Sequence, residues 1–430
     1  MQVEPLWDCS KETKVVTRLL YDSHMNALSN LSLGLLSDPI TPPYLKSRTS
    51  APEKPAGVLS FVDLFSGIGG FHIGLEHAAH EAGYNIQLKF ASDINAAACA
   101  VYKANYGEAP EGDVTKIATK EAAGVDLVFG GFPCQPFSNS GLKKGLDDER
   151  GGLFFEIKRL IQGSRTRATP GHIGPKAFLL ENVAGLATNG ASDPGISQLH
   201  AGQQRKIGGT MVRLERELKA MKDYDIAWKE LVSSDFGSPQ VRRRVFILGI
   251  HRDYHIAAAS LFPAGSAHRN TIRSIVEGIK IPGTELNPNQ HRNISKDMKE
   301  GGAPSFRDGM RRVGRAYHCE GGNVGQCYHV DGLGPTLTVV WSHFLPIYFP
   351  AARERVPELD DVIYKPGAAY GTGHLRRATV RETLRLQGFP DDFQVSGKQT
   401  ENYEQAGNAV NVNVIKALLD PIVRVVGPNR

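Results

Sequence analysis

A chain of 430 residues is long enough for two or three domains. Its formal charge of +5 permits a polyanionic partner without requiring one, since local clustering decides that question. No apolar run reaches the ~18 residues of a membrane span, residues 1–12 lack a signal-peptide apolar region, and the five cysteines form no CxxC pair. These features exclude a disulfide scaffold and a zinc site as first expectations. They point to a reduced, cytoplasmic protein with no membrane association and no metal.

Residues 1–57 stand apart from the rest. Leu19, Leu20, Met25, Leu28, Leu31 and Leu35 form an imperfect helical stripe, expected to pack on the main body rather than to regulate or contact DNA. The string SRTSAPEKP at 47–55 reads as a solvated linker. From Val58 the chain alternates between strand and helix. Residues 58–65 form a strand that enters Ser66-Gly67-Ile68-Gly69-Gly70, followed by an amphipathic helix through His80. Strand, glycine turn and helix N-terminus make a cofactor cradle, because glycines admit a ligand to the backbone and helix amides meet negative charge. A structural tight turn would look the same, and the FxGxGG spacing is not the GxGxxG of dinucleotide binding.

The following strand ends add weight to the cofactor reading. Residues 88–91 lead to Asp93, a carboxylate suited to two ribose hydroxyls. Gly112-Asp113-Val114 is read as a third strand end, with an acceptor where an adenine amino group needs one. A fourth strand, Leu127-Val128-Phe129, runs through Gly130 and Gly131 to Pro133-Cys134-Gln135-Pro136. A lone cysteine is more often inert and buried. Here two prolines restrict the turn that presents Cys134, and Gln135 and Ser138 make its surroundings polar, which favours a nucleophile. Residues 139–152, with Lys143, Lys144 and Arg150, are a polar, glycine-punctuated stretch that could be a plain loop, but their place directly after the candidate nucleophile favours a lid over bound nucleic acid.

Residues 178–183 form a buried strand ending in Glu181-Asn182-Val183. Parallel order places Glu181 on the same sheet edge as Cys134, although an acid there also serves as a helix cap. A helix covers 211–221. If the chain is extended from Gln240, then Gln240, Arg242 and Arg244 share one face and Arg243 takes the other. Periodicity fails over 255–335, so that stretch is expected to form a separate small domain, with the return to regular architecture at 334–338. Residues 376–390 read as a helix stopped by Gly388-Phe389-Pro390. Residues 405–410 read as the opening of a final helix, with Asn408 near its N-terminus.

Taken in order from about Phe61 to Val414, these motifs resemble the DNA (cytosine-5)-methyltransferase family of bacterial restriction–modification type. The resemblance rests on Pro133-Cys134-Gln135, Phe65-x-Gly67-x-Gly69-Gly70, Glu181-Asn182-Val183, Gln240-x-Arg242-x-Arg244 and Gln405-Ala406-Gly407-Asn408. It implies an α/β fold: a Rossmann-like S-adenosylmethionine-dependent methyltransferase domain with a smaller, irregular target-recognition domain. The expected division is an extension over 1–57, a catalytic and cofactor domain over 58–254, recognition over 255–375, and a returning support segment over 376–430. Cys134, Glu181, Arg242 and Arg244 would then be catalytic. Phe65, Gly67, Ile68, Gly70, Asp93, Asp113, Val114, Pro133, Asn408 and Val410 would hold S-adenosyl-L-methionine. Gln135, Ser138, Lys143, Lys144, Arg150 and Gln240 would contact double-stranded DNA. Asp93 stands where the family usually has Glu, which puts the ribose contact in doubt.

The same resemblance implies a monomer acting on a flipped-out cytosine and protecting DNA from a partner restriction endonuclease. A tRNA cytosine-5 methyltransferase is the alternative within this chemistry, and the long recognition segment favours DNA. An inactive DNA-binding regulator is disfavoured by the retention of Cys134, Glu181, Arg242 and Arg244. A dinucleotide oxidoreductase is disfavoured by the glycine spacing.

Overall fold

The computed structural model describes residues 47–133, 152–163, 174–190, 195–202, 204–267, 269–299, 305–315, 325–338, 345–350 and 373–427. Four strands run parallel: β1 (Val58–Leu64), β2 (Asn85–Ser92), β3 (Leu127–Gly131) and β4 (Ala177–Val183). A short ribbon follows, formed by β5 (Gly195–Ile196) and β6 (Lys206–Ile207). Two antiparallel strands, β7 (Tyr224–Val232) and β8 (Arg243–His251), complete a six-stranded sheet of order β2-β1-β3-β4-β8-β7. The chain leaves β1 for β2 on one side and later returns to β3 on the other. Such a reversal opens a crevice at the carboxyl ends of the strands.

The strands read as continuous apolar runs because both faces of the sheet are covered. On one face, Val62, Val128 and Phe178 pack against α3 (Leu153–Gly163) and α4 (Gly209–Lys219). On the other, Phe61, Phe129 and Leu179 meet α1 (Gly70–Glu81) and the last helix, α8 (Val412–Val426). The two helices approach closely enough that a Cβ on Gly74 would lie 2.5 Å from Ile415 Cγ2. The C-terminal segment therefore folds back onto the first sheet, as the family resemblance implied. Between β2 and β3 lies α2 (Ala96–Tyr106).

The segment after β8 is more regular than its sequence suggested. It contains α5 (Pro288–Lys299) and strands β9 (Ser305–Arg307), β10 (Met310–Arg315), β11 (Gln326–His329) and β12 (Pro346–Phe349). With β13 (His374–Arg377) these form a second sheet of order β13-β12-β11-β10-β9 around its own apolar core, which includes Ile272, Tyr328 and Ile347.

Several expectations need correction. Gly112 and Asp113 do not end a strand. Glu111 makes one isolated bridge to Ser92, and Asp113 then caps a 3-10 turn, so the strand leading toward Cys134 is the third. Arg376 and Arg377 lie in β13; the helix, α6 (Val380–Leu386), starts only after Thr379, whose capping box with Glu382 fixes its N-terminus. Residues 405–408 close a separate helix, α7 (Gln399–Asn408), and α8 begins at Val412 behind the Asn411 cap. Asn408 thus ends one helix instead of opening the next. The expected solvated linker is tied down at its start: Arg48 Nη1 donates to the Asn105 carbonyl at 2.7 Å, and its backbone amide to Asp392 Oδ2 at 3.2 Å. The apolar stripe at 19–35 lies outside the described residues.

Candidate active site

The carboxyl ends of β3 and β4 meet in register, with Gly131 beside Glu181. The Asn182 side-chain amide donates to the Phe132 carbonyl at 3.2 Å, holding the start of the Pro133 turn against the end of β4. From the neighbouring antiparallel strand, Arg244 Nε lies 2.9 Å from Glu181 Oε1, and both side chains are largely buried. The two-residue period puts Gly131, Glu181 and Arg244 on the sheet face covered by α1 and α8. Cys134, Gln135, Ser138, Lys143, Lys144 and Arg150 lie outside the described residues; Pro133 is the last described residue before them.

The expected alternation from Gln240 is not seen in burial, because Val241 is buried as well and β8 begins only at Arg243. Arg243 is exposed, whereas Gln240 and Arg242 are buried. Arg242 Nη1 donates to the carbonyls of Leu337 and Gly407, each at 3.1 Å. It thereby joins the connection between β11 and β12 to the end of α7; the second sheet continues through β12 and β13, so the expected return to regular architecture at 334–338 does not occur there. Gln240, wholly buried, bridges through its backbone to Gly334. Arg244, of this trio, is the one directed at Glu181.

At the end of β1 the backbone enters left-handed geometry at Phe65 (φ 54°), Gly67 (φ 54°) and Gly69 (φ 86°). A non-glycine residue in that region is uncommon and carries strain. Asp93 braces the turn, accepting from the amides of Gly67 and Asn95, each at 2.8 Å. Asp113 accepts from the Thr115 amide at 3.0 Å and hydroxyl at 2.8 Å, and these bonds hold its carboxyl below the usual range. Ile68 and Val114 are core residues, so their side chains serve packing. Val410 presses on the turn: a Cβ on Gly70 would lie 2.6 Å from Val410 Cγ2. Asn408 is exposed at the end of α7.

Two residues of this edge were not singled out in the sequence. Asp63 is fully buried on β1, and neither carboxylate oxygen has a hydrogen-bond partner among the described residues. Burial, with a smaller contribution from the charge of Asp93, pushes its carboxyl well above the usual range. A lone acid inside the apolar run VLSFVDLF was the available signal. Ile94, beside Asp93, is 83% exposed, a large apolar side chain with nothing covering it. Among the described residues no cluster of His, Cys, Asp and Glu could hold a metal ion. No described helix is long and apolar enough to cross a membrane.

A parallel-rich sheet with a glycine turn and acids at its switch point defines a Rossmann-like methyltransferase fold. The solved structure of the Entamoeba histolytica methyltransferase EhMeth superposes with a TM-score of 0.57 at 18% identity, covering 85% of this chain and 98% of that one. Residues 59–424 match the C-5 cytosine-specific DNA methylases, and the chain belongs to that family. It is 32% identical over 377 residues to the type II methyltransferase M.BsuFI of Bacillus subtilis, covering 87% of this chain and 75% of the relative. It is also 32% identical over 374 residues to M1.ScrFI of Lactococcus lactis subsp. cremoris, covering 85% and 78% respectively. The protein is a DNA cytosine-5 methyltransferase.

Proposed function

We propose that the protein methylates one cytosine within a specific double-stranded DNA sequence, using S-adenosyl-L-methionine, and so protects that sequence from a partner restriction endonuclease. The observation that carries this reading is the register of β3 and β4, which sets Gly131, three residues before Cys134, against Glu181 with Arg244 paired to it.

The chemistry follows from the substrate. Cytosine C5 is a weak nucleophile until another group adds to the ring. The Cys134 thiolate adds to C6, while Glu181 hydrogen-bonds or protonates N3, so that negative charge does not accumulate on the ring. C5 then carries the electron pair that takes the methyl group. Loss of the C5 proton to a base and expulsion of the Cys134 thiolate restore the aromatic ring. Arg244 holds the Glu181 carboxylate in place. Arg242, tied to two carbonyls, supports the same edge from behind. A base inside a duplex cannot reach this edge, so the cytosine must be flipped out, at a cost of a few kcal/mol.

S-adenosylmethionine, when bound, supplies an electrophilic methyl group on a positively charged sulfur. The residues at the switch point fit it. The Asp63 carboxyl, without a hydrogen-bond partner among the described residues, would answer a buried ammonium, and the α1 N-terminus suits a carboxylate. The Asp113 oxygen not engaged by Thr115 is available to an adenine amino group. The exposed Ile94 would be covered by the flat face of the base. Asp93 is already committed to two backbone amides, which makes its contact with ribose hydroxyls a shared one. Residues 255–375 would choose the DNA sequence, with Gln135, Ser138, Lys143, Lys144, Arg150 and Gln240 toward the substrate.

Mapping 5-methylcytosine in DNA from cells producing the protein tests this reading. Complete methylation of one short sequence is expected, lost in Cys134→Ser. Methylation of tRNA with none in DNA would contradict it.

A further inference from the structure

We propose that Arg48 and Tyr106 form a clamp that positions the glycine turn for the cofactor, so that residues ahead of the methylase domain help set cofactor affinity. The proposal rests on the reading of that turn as the S-adenosylmethionine seat. It concerns a residue, Arg48, outside the 59–424 stretch that matches the family.

Tyr106 is the last residue of α2, and its hydroxyl donates to the Gly69 carbonyl at 2.8 Å. Its ring takes the space a side chain would need at Gly69: a Cβ there would lie 2.3 Å from Tyr106 Cε2. The Gly69 carbonyl also accepts from Ile73 in the first turn of α1 at 3.1 Å, so two donors fix one peptide plane. In a trans peptide the following amide points opposite to the carbonyl. Anchoring the Gly69 oxygen therefore aims the Gly70 N–H away from Tyr106, at the N-terminus of α1. That amide is one of the free donors a carboxylate would meet there.

Tyr106 is itself held. It stacks on His72 with ring centroids 3.8 Å apart and planes at 14°. His72 Nδ1 in turn lies 2.8 Å from the Tyr102 hydroxyl. Burial, with Arg48 adding to it, depresses the His72 pKa to about 3, so the ring is neutral at working pH. The Arg48 guanidinium lies 4.6 Å from the Tyr106 ring centroid, a cation–π distance. Arg48 is fixed by Asn105 and Asp392 as described above, and its Nε is 3.9 Å from the Glu76 carboxylate. Burial raises the Tyr106 hydroxyl pKa far above its ordinary value, so it remains a donor throughout the working range.

The test is steady-state kinetics on the full chain, varying S-adenosylmethionine and DNA separately. Losing one neutral hydrogen bond should raise the cofactor KM of Tyr106→Phe about three- to tenfold, with kcat and the DNA KM unchanged. Arg48→Ala should raise the cofactor KM by a smaller factor, and Arg48→Lys, which keeps a cation over the ring, should restore part of it. A clamp that serves stability alone would lower the thermal midpoint without this split between KM and kcat, and that result would overturn the proposal. Should Tyr106→Phe fail to fold, the Arg48 pair carries the same comparison. Asp63→Asn separates the two levels of the argument. Weakened binding in Asp63→Asn with none in Tyr106→Phe refutes the clamp alone. Unchanged binding in both refutes the seat as well.

Discussion

Among the described residues two carboxylates are wholly buried, and their surroundings are opposite. Glu382, at the start of α6, is saturated. Arg376 approaches it with two guanidinium nitrogens, at 2.6 and 2.8 Å, while the amides of Glu277 and Thr379 donate at 2.8 Å each. Asp63, at the end of β1, has no partner at all among the described residues. The first closes the junction between the second sheet and the helices that return to the first. The second sits at the switch point where the cofactor is proposed to bind. A buried carboxyl left without partners is costly to ionise and so holds its proton to a higher pH, and that cost is tolerated where a ligand will answer it.

The largest expected effect is at the saturated site. Glu382→Ala strands the Arg376 guanidinium in the interior and should destabilise the fold by about 3–5 kcal/mol, read from urea unfolding. A loss under about 1 kcal/mol would mean the pair is worth no more than a surface ion pair. Asp63→Asn should behave in the opposite manner, raising the cofactor dissociation constant at least about tenfold, or about 1.4 kcal/mol, without destabilising the unliganded protein. Calorimetry and thermal unfolding on one preparation check both halves.

The same contrast has a pH signature. An unfolded aspartate releases its proton near pH ~3.9, whereas folded Asp63 holds its own to a higher pH. Between those two values the folded state binds more protons, so the stability contribution of Asp63 is present at acid pH and is lost as pH rises through the window. Asp63→Asn should therefore raise the melting temperature more at pH 7 than at pH 4. An equal change at both would show that Asp63 does not titrate differently in the fold. Smallest is Asp113→Ala, where a half-buried acid is removed: cofactor affinity should fall by a factor of about three to ten, the worth of a single hydrogen bond. Unchanged affinity would mean the adenine is held elsewhere.

The sequence made the strand ends legible and left the junctions obscure. Glycine-rich turns and acids after apolar runs are local signals, and β1, β2, β3 and β4 fell where those signals placed them. A single acid does not disturb an apolar run read by periodicity, and only its complete burial without a hydrogen-bond partner among the described residues sets Asp63 apart. The charge run at Arg376 and Arg377 resembles a helix start, whereas the Thr379–Glu382 capping box marks the true one. The break between α7 and α8 was hidden in a mixed polar stretch whose signal, Asn411 ahead of Val412, looks like many others. The short strands of the second sheet, three to six residues each, are too brief for a period to show. Arg48 was unreadable in principle, since its partners Asn105 and Asp392 are far away in the chain.

The central claim is covalent catalysis by Cys134 at the edge that Glu181 and Arg244 complete. Fluorine at C5 cannot leave as a cation, so an oligonucleotide carrying 5-fluorocytosine at the target should arrest the enzyme after methyl transfer. The protein is then expected to migrate with the DNA through denaturing electrophoresis, and only when S-adenosylmethionine is present. Glu181→Gln should slow trapping while DNA binding persists, and Cys134→Ser should abolish it, because a serine hydroxyl is scarcely ionised at neutral pH. An adduct that survives in Cys134→Ser, or that maps to Cys9, Cys99, Cys319 or Cys327, would contradict the account.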